Sequence, residues 1–123
     1  MSLADRLRRM LGRPYTTVRP AEAAELVESG AILLDVREQP EWVAGHAPRA
    51  RHIPLGQLAR RHGELPAGRT VITVCRSGHR SARAAALLAR EGVQVVNLSG
   101  GMRAWAAAGL PVVGKGSRPG AVV

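Results

Sequence analysis

Short apolar runs rich in β-branched residues recur along the chain, and the stretches between them carry the three-to-four-residue spacing of amphipathic helices. The two strongest runs are Ala31-Ile32-Leu33-Leu34-Asp35-Val36 and Val71-Ile72-Thr73-Val74. Each is long enough for a strand buried on both faces and too short for a buried helix. Tyr15-Thr16-Thr17-Val18, Ala50-Arg51-His52-Ile53 and Val93-Gln94-Val95-Val96-Asn97 read as three further strands, the second of them stopped by Pro54. Between the first two strands Pro20 sits where a helix opens, Glu22, Glu25 and Glu28 mark its wet side, and Gly30 suits its end. Residues 55–62 predict a short helix, and Leu65-Pro66-Ala67-Gly68 a turn into the next strand. Residues 81–90 predict another helix, with Ala84, Leu87 and Leu88 on one face, and Gly100-Gly101 introduces a last one over 102–108. Strands alternating with helices predict an α/β domain with a mainly parallel five-stranded sheet, helices on both faces, and ligands at the carboxyl ends of the strands.

Composition narrows the organisation. A chain of 123 residues that is 46% hydrophobic supports one domain with a core of ordinary size, here placed at 15–113. With two Trp, one Tyr and no Phe, that core is built from Val, Ile, Leu and Ala. Residues 1–14 read as a basic amphipathic leader, with Leu3, Leu7, Met10 and Leu11 on one side and Arg6, Arg8 and Arg9 among the rest. Loose packing or fraying is the expectation for it, with membrane-surface or partner binding as the alternative. Residues 114–123, rich in glycine and small side chains, read as a flexible tail. No stretch approaches the roughly 20 apolar residues of a membrane span, and no signal-peptide core opens the chain, so the expected location is cytoplasmic.

The formal charge of +9 is almost all arginine, Lys115 being the only lysine. The arginines are spread out, without a stacking series of aromatics, a helix-turn-helix pattern or finger spacing, so specific nucleic-acid binding is not expected. Arg and Ala enrichment with Lys depletion is also what a GC-rich coding bias produces. The basic field is better suited to drawing small anions toward a site.

The candidate chemistry centres on the only cysteine, Cys75, which follows the Val71 strand and opens the polar loop Arg76-Ser77-Gly78-His79-Arg80 before a helix. A strand-to-helix turn of this kind aims unpartnered N–H groups and the positive end of the helix dipole at whatever it surrounds. Arg76 and Arg80 add positive charge, and Gly78 lets the backbone curl inward. Such surroundings favour a thiolate over the ordinary thiol of pKa about 8.5. Cys75 is therefore the candidate nucleophile, Arg76 and Arg80 the candidate recognition groups for a small dianion, and the N–H groups of Ser77, Gly78, His79, Arg80 and Ser81 the candidate anion cradle. The alternative for Cys75 is an inert core thiol. A lone cysteine excludes an internal disulfide or a Cys-x-x-Cys pair, so any group it acquires leaves to another molecule.

Asp35, with Arg37 just beyond it, ends a strand on the same rim. It could pair with a loop arginine or handle a proton, or simply cap a helix or bridge to Arg37. His46, His52, His62 and His79 lack the spacing of a metal site, and no phosphate loop or dinucleotide fingerprint is present. No metal and no cofactor are expected.

Taken together, Asp35-Val36-Arg37-Glu38, Glu41-Trp42, Gly45-His46-Ala47-Pro48, Ile53-Pro54, Cys75-Arg76-Ser77-Gly78-His79-Arg80-Ser81 and Leu98-Ser99-Gly100-Gly101 with Trp105, Gly109 and Pro111 resemble the single-domain rhodanese family. The resemblance runs over about residues 18–112. It implies a rhodanese-like fold and a thiosulfate sulfurtransferase activity, in which a Cys75 persulfide carries sulfur from a small anionic donor to cyanide, a thiol, or a sulfur-carrier protein. In this chain Ala47 stands where the family usually has Ile and Arg49 where it has Gly, which changes packing in that turn. Two alternatives stay open: a cysteine phosphatase or arsenate reductase on the same fold, and a noncatalytic rhodanese-like module that binds a partner. The phosphatase pattern has five residues between Cys and Arg, whereas four separate Cys75 from Arg80. A bound module of the second kind is expected to lack the cysteine.

Overall fold

The computed structural model describes residues 15–123; the expected leader over 1–14 lies outside them. Strands β1 (Thr16–Val18), β2 (Ile32–Asp35), β3 (Arg51–His52), β4 (Val71–Val74) and β5 (Val95–Leu98) form one sheet in the order β1-β5-β4-β2-β3, every neighbouring pair parallel. Helices α1 (Pro20–Glu28), α2 (Gln39–Ala44), α3 (Leu55–Arg61) and α4 (His79–Arg90) make the crossovers, and α5 (Gly101–Ala107) follows β5. The α/β architecture expected from the alternating pattern is the one observed.

All four residues of β2 and of β4 are buried, as continuous apolar runs in the middle of a parallel sheet should be. Successive side chains point to opposite faces, so each run feeds two cores. Ile32, Leu34 and Val71 pack with Leu58, Ala84, Ala85 and Leu88 under α3 and α4. Leu33, Ile72 and Val74 pack with Ala23, Met102 and Trp105 under α1 and α5. Complete burial of side chains such as Leu34, Ile72 and Leu88 contributes about 1.5–3 kcal/mol apiece and fixes the register, because a one-residue slip would exchange the two faces.

Helix α2 was not anticipated. It has six residues with Pro40 in its first turn, too short for a periodicity to show, and its start is held by Glu41 accepting from the Glu38 N–H at 3.0 Å. The helix after Cys75 begins at His79 rather than Ser81, which tightens the loop.

The chain after Val113, expected as a tail, returns across the domain. His46 and Val113 exchange backbone hydrogen bonds of 3.0 and 2.9 Å, Gly120 N–H donates to Val112 at 3.1 Å, and Ala121 N–H donates to Ala44 at 2.9 Å. The returning backbone lies so close to Gly45 that a Cβ there would meet Ala121 N at 2.6 Å. Gly120 in this stretch likewise lies against the Val113 backbone, a close-packing use of glycine that composition alone cannot distinguish from disorder.

Candidate active site

In the strand order, the connection leaving β4 runs to β5 on one side and the connection leaving β2 runs to β3 on the other. The carboxyl ends of these two adjacent strands therefore flank the point where the winding reverses, which is where parallel α/β sheets open a crevice. Cys75 follows β4 at that point.

Cys75 belongs to the side of β4 that carries Val71 and Thr73, and this aims its sulfur at the head of α4. Gly78 has φ +114°, the left-handed turn that swings the backbone into the helix. Its N–H donates to the Cys75 Sγ at 3.1 Å, and the Ser81 hydroxyl lies 3.3 Å from the same sulfur. The residue is only 1% exposed. Burial, the largest single influence, pushes the thiol up. The Ser81 hydroxyl, followed by the N–H groups of Ser81, Gly78 and Ser77, pushes it down by more in sum, and the net result is a thiol below its ordinary range. The thiolate is thus favoured mainly by oriented donors, where the sequence had put equal weight on the two arginines.

Those arginines sit at the rim. The Arg80 guanidinium binds Glu41 of α2 through Nη1 at 2.6 Å and Nη2 at 2.8 Å, a bidentate ion pair across 39 residues of sequence. It braces the loop against Glu41, and not against Asp35, the carboxylate that the sequence offered to a loop arginine. Arg80 is held further in its charged form by this pair and, more weakly, by Cys75. The Arg76 Nε donates to the Val123 carbonyl at 3.0 Å. Ser77 and His79 are exposed, whereas Ser81 is buried.

Asp35 and Arg37 resolve to the plainer alternative. Both are fully buried and paired, Arg37 Nη2 lying 2.7 Å from Asp35 Oδ2, and both carboxylate oxygens of Asp35 accept from Arg37. Arg37 Nη2 also donates to the Gly45 carbonyl at 2.7 Å. The pair ties the end of β2 to the turn after α2, and Asp35 has no oxygen left over for a loop arginine. Beside it, Trp42 stacks with both His46 and His52, with ring centroids 3.7 and 4.9 Å away. His46 Nδ1 donates to the Trp42 carbonyl and His52 Nε2 to the Arg37 carbonyl, so each imidazole is used structurally. Among the described residues no group of three His, Cys, Asp or Glu side chains is gathered, and no helix is long and apolar enough to cross a membrane.

A second support comes from the head of α5. Met102 N–H donates to the Cys75 carbonyl at 2.7 Å and Arg103 N–H to the Arg76 carbonyl at 3.1 Å, so the Cys75 loop rests on that helix terminus. Gly101 has φ +60° and packs so tightly that a Cβ would meet the Arg76 carbonyl oxygen at 2.6 Å. Beneath the loop lie Thr73 and Asn97, buried polar residues that sequence reading took only as strand positions. Their signal was the placement of hydrogen-bonding side chains inside otherwise apolar strands. Ala47 lines a largely apolar cleft of about 320 Å³ with Leu33, Trp105 and Leu110, none of them in the Cys75 loop.

The site defines a class: α/β domains of parallel sheet in which one cysteine, at the reversal of the strand order, faces a loop of inward N–H groups. Within that class, residues 19–108 match the Rhodanese-like domain, and the chain belongs to this family. A sulfurtransferase of Allochromatium vinosum is 42% identical over 83 residues, covering 67% of this chain and 78% of that protein. An HTH-type transcriptional regulator of Mycobacterium tuberculosis is 40% identical over 106 residues, covering 84% of this chain and 47% of the regulator. The chain thus spans about half the length of that relative. Among solved structures, a rhodanese-related protein from Thermoplasma volcanium superposes with a TM-score of 0.76 at 30% identity, covering 80% of this chain and 98% of that one.

Proposed function

We propose that this chain is a sulfurtransferase that moves a sulfane sulfur from thiosulfate, or a related persulfide donor, to a thiol or cyanide acceptor through a persulfide on Cys75. The observation that carries the reading is the convergence of the Gly78 N–H and the Ser81 hydroxyl, at 3.1 and 3.3 Å, on a sulfur placed at the head of α4. In the first half-reaction the Cys75 thiolate attacks the outer sulfur of thiosulfate; the new S–S bond forms as the old one breaks, and sulfite leaves with the electron pair. The terminal sulfur carries the negative charge and lies among the loop N–H groups, which need no reorganisation to receive it. In the second half-reaction the acceptor attacks that terminal sulfur and returns the thiolate. Arg76, at the rim, meets the incoming anion, while Arg80 and Glu41 keep the loop in shape. The acceptor is a small thiol or the end of a sulfur-carrier protein. A lone thiol of this kind suits the reducing conditions of the cytoplasm.

Intact-protein mass spectrometry after brief incubation with thiosulfate tests the reading. The expected gain is one sulfur, about 32 Da, reversed by cyanide and missing from Cys75→Ala, as covalent catalysis requires. A thiol that alkylates readily yet takes up no sulfur from thiosulfate or from a small persulfide would overturn it.

A further inference from the structure

The loop contains more acceptors than Ser81 has protons to give. The single Ser81 hydroxyl hydrogen is within reach of two groups, the Cys75 sulfur at 3.3 Å and the Gly78 carbonyl oxygen at 3.2 Å. A serine three residues into a helix ordinarily turns its hydroxyl back onto such a carbonyl, and here that oxygen stays within reach while the sulfur is the closer partner for its size. The Gly78 oxygen has two lone pairs. One is taken by the Ala82 N–H at 3.1 Å, the first hydrogen bond of α4. The other faces β5, where Asn97 Nδ2 donates to it at 3.3 Å. The opposite orientation of the Asn97 amide would set its oxygen against the Gly78 oxygen, so the amide nitrogen belongs on that side. The neighbouring Thr73 hydroxyl donates to the Ser81 carbonyl at 2.9 Å and lies 3.3 Å from Asn97 Oδ1, a contact that also keeps the amide oxygen away from Gly78.

We propose that Asn97 is a positioning residue for the Cys75 thiolate: by donating to the Gly78 carbonyl it satisfies that oxygen and leaves the Ser81 proton to the sulfur. Asn97 touches neither the sulfur nor anything the sulfur would receive. It acts through Gly78 and Ser81, from a position 5% exposed at the carboxyl end of β5. Without it the Ser81 hydroxyl turns to the vacated lone pair, and the thiolate loses its one hydroxyl donor. The inference rests on Cys75 being the reactive group. It deepens that reading by naming which buried residue sets the donor direction. The charged groups on the elements around Cys75 are Arg76, His79 and Arg80 in the loop, the Asp35–Arg37 pair at the end of the adjacent β2, Glu41 of α2 with Glu38 before it, and Arg103 at the head of α5; none is altered in the test.

The test is the pH dependence of iodoacetamide alkylation, which reports Cys75 alone because the chain has one cysteine. Asn97→Ala should raise the midpoint by about half to one pKa unit, three- to tenfold less thiolate at a fixed lower pH. Ser81→Ala should raise it at least as much, and adding Asn97→Ala to Ser81→Ala should change it little further, because the hydroxyl through which Asn97 acts is then gone. Asn97→Leu, which fills the space of the amide without a donor, is the second variant should Asn97→Ala fold poorly. A midpoint unmoved by both Asn97 variants, or moved equally with and without Ser81, would overturn the proposal even if melting temperatures fall. Alkylation reads the thiolate and not sulfur transfer, so a failure to form persulfide and a failure of this coupling are separate results.

Discussion

Glu41 serves two structures with one carboxylate. It caps α2 by accepting from the Glu38 N–H and holds Arg80 at the end of the Cys75 loop. Its carboxyl is lowered from the ordinary 4.5 to about 2, above all by the hydrogen bonds from Arg80. A depressed folded-state value means that the stabilisation is fully present above about pH 4.5 and is lost as the pH falls toward 2. Arg80 is 35% exposed, so water screens the pair and its worth is about 1 kcal/mol. The gap in melting temperature between the native chain and Glu41→Gln should be widest above pH 4.5 and close as pH 2 is approached. A gap that stays constant over that range would show that shape, and not charge, is what Glu41 supplies. None of this was legible in the sequence, where Glu41 and Arg80 are 39 positions apart and nothing local links them. The placement of Cys75 was legible, because a polar, glycine-containing loop after a β-branched run marks a strand-to-helix turn by local geometry alone.

At the scale of elements, the Cys75 loop is a suspended segment with two fixed ends: α4 grows out of it and the head of α5 carries the carbonyls of Cys75 and Arg76. The support at α5 depends on Gly101, whose missing side chain leaves room for the loop backbone. Gly109 has a similar left-handed conformation, φ +79°, with open space around it. Alanine at either position incurs the strain of that conformation, about 1–2 kcal/mol. At Gly101 it must also displace the Cys75 loop. Urea unfolding should therefore place Gly101→Ala several kcal/mol below the native chain and Gly109→Ala only by the strain. Equal losses at the two positions would mean that the loop gives way easily. The long central strands and the helices with clear apolar faces were readable because burial on both sides demands a continuous β-branched run. Helix α2 was not readable, because six residues hold less than two turns and its stability comes from Glu41 and the packing of Trp42.

For the molecule as a whole, the segment after Val113 is the part that composition misread. Its backbone meets other backbone closely, Ala121 against Gly45 and Gly120 against Val113, and such contacts exist only once the domain has folded. Amide hydrogen exchange should therefore find Gly120 and Ala121, bonded to Val112 and Ala44, slowed by roughly tenfold or more over an unstructured chain. Exchange at the unstructured rate would leave the segment as a tail. The sheet carries one more consequence. Its long, fully buried strands stand in the middle, and its margins are β1 and β3, of three and two residues. Pro20 closes one margin just past Val18, and Pro48 and Pro54 bracket the other. A strand from another chain that tried to add on beside β3 would find two residues of ladder and then proline, too little to hold it. At that edge a small domain rich in valine and alanine is in this way kept from polymerising through its own sheet, in the crowded solution where aggregation begins at open edges.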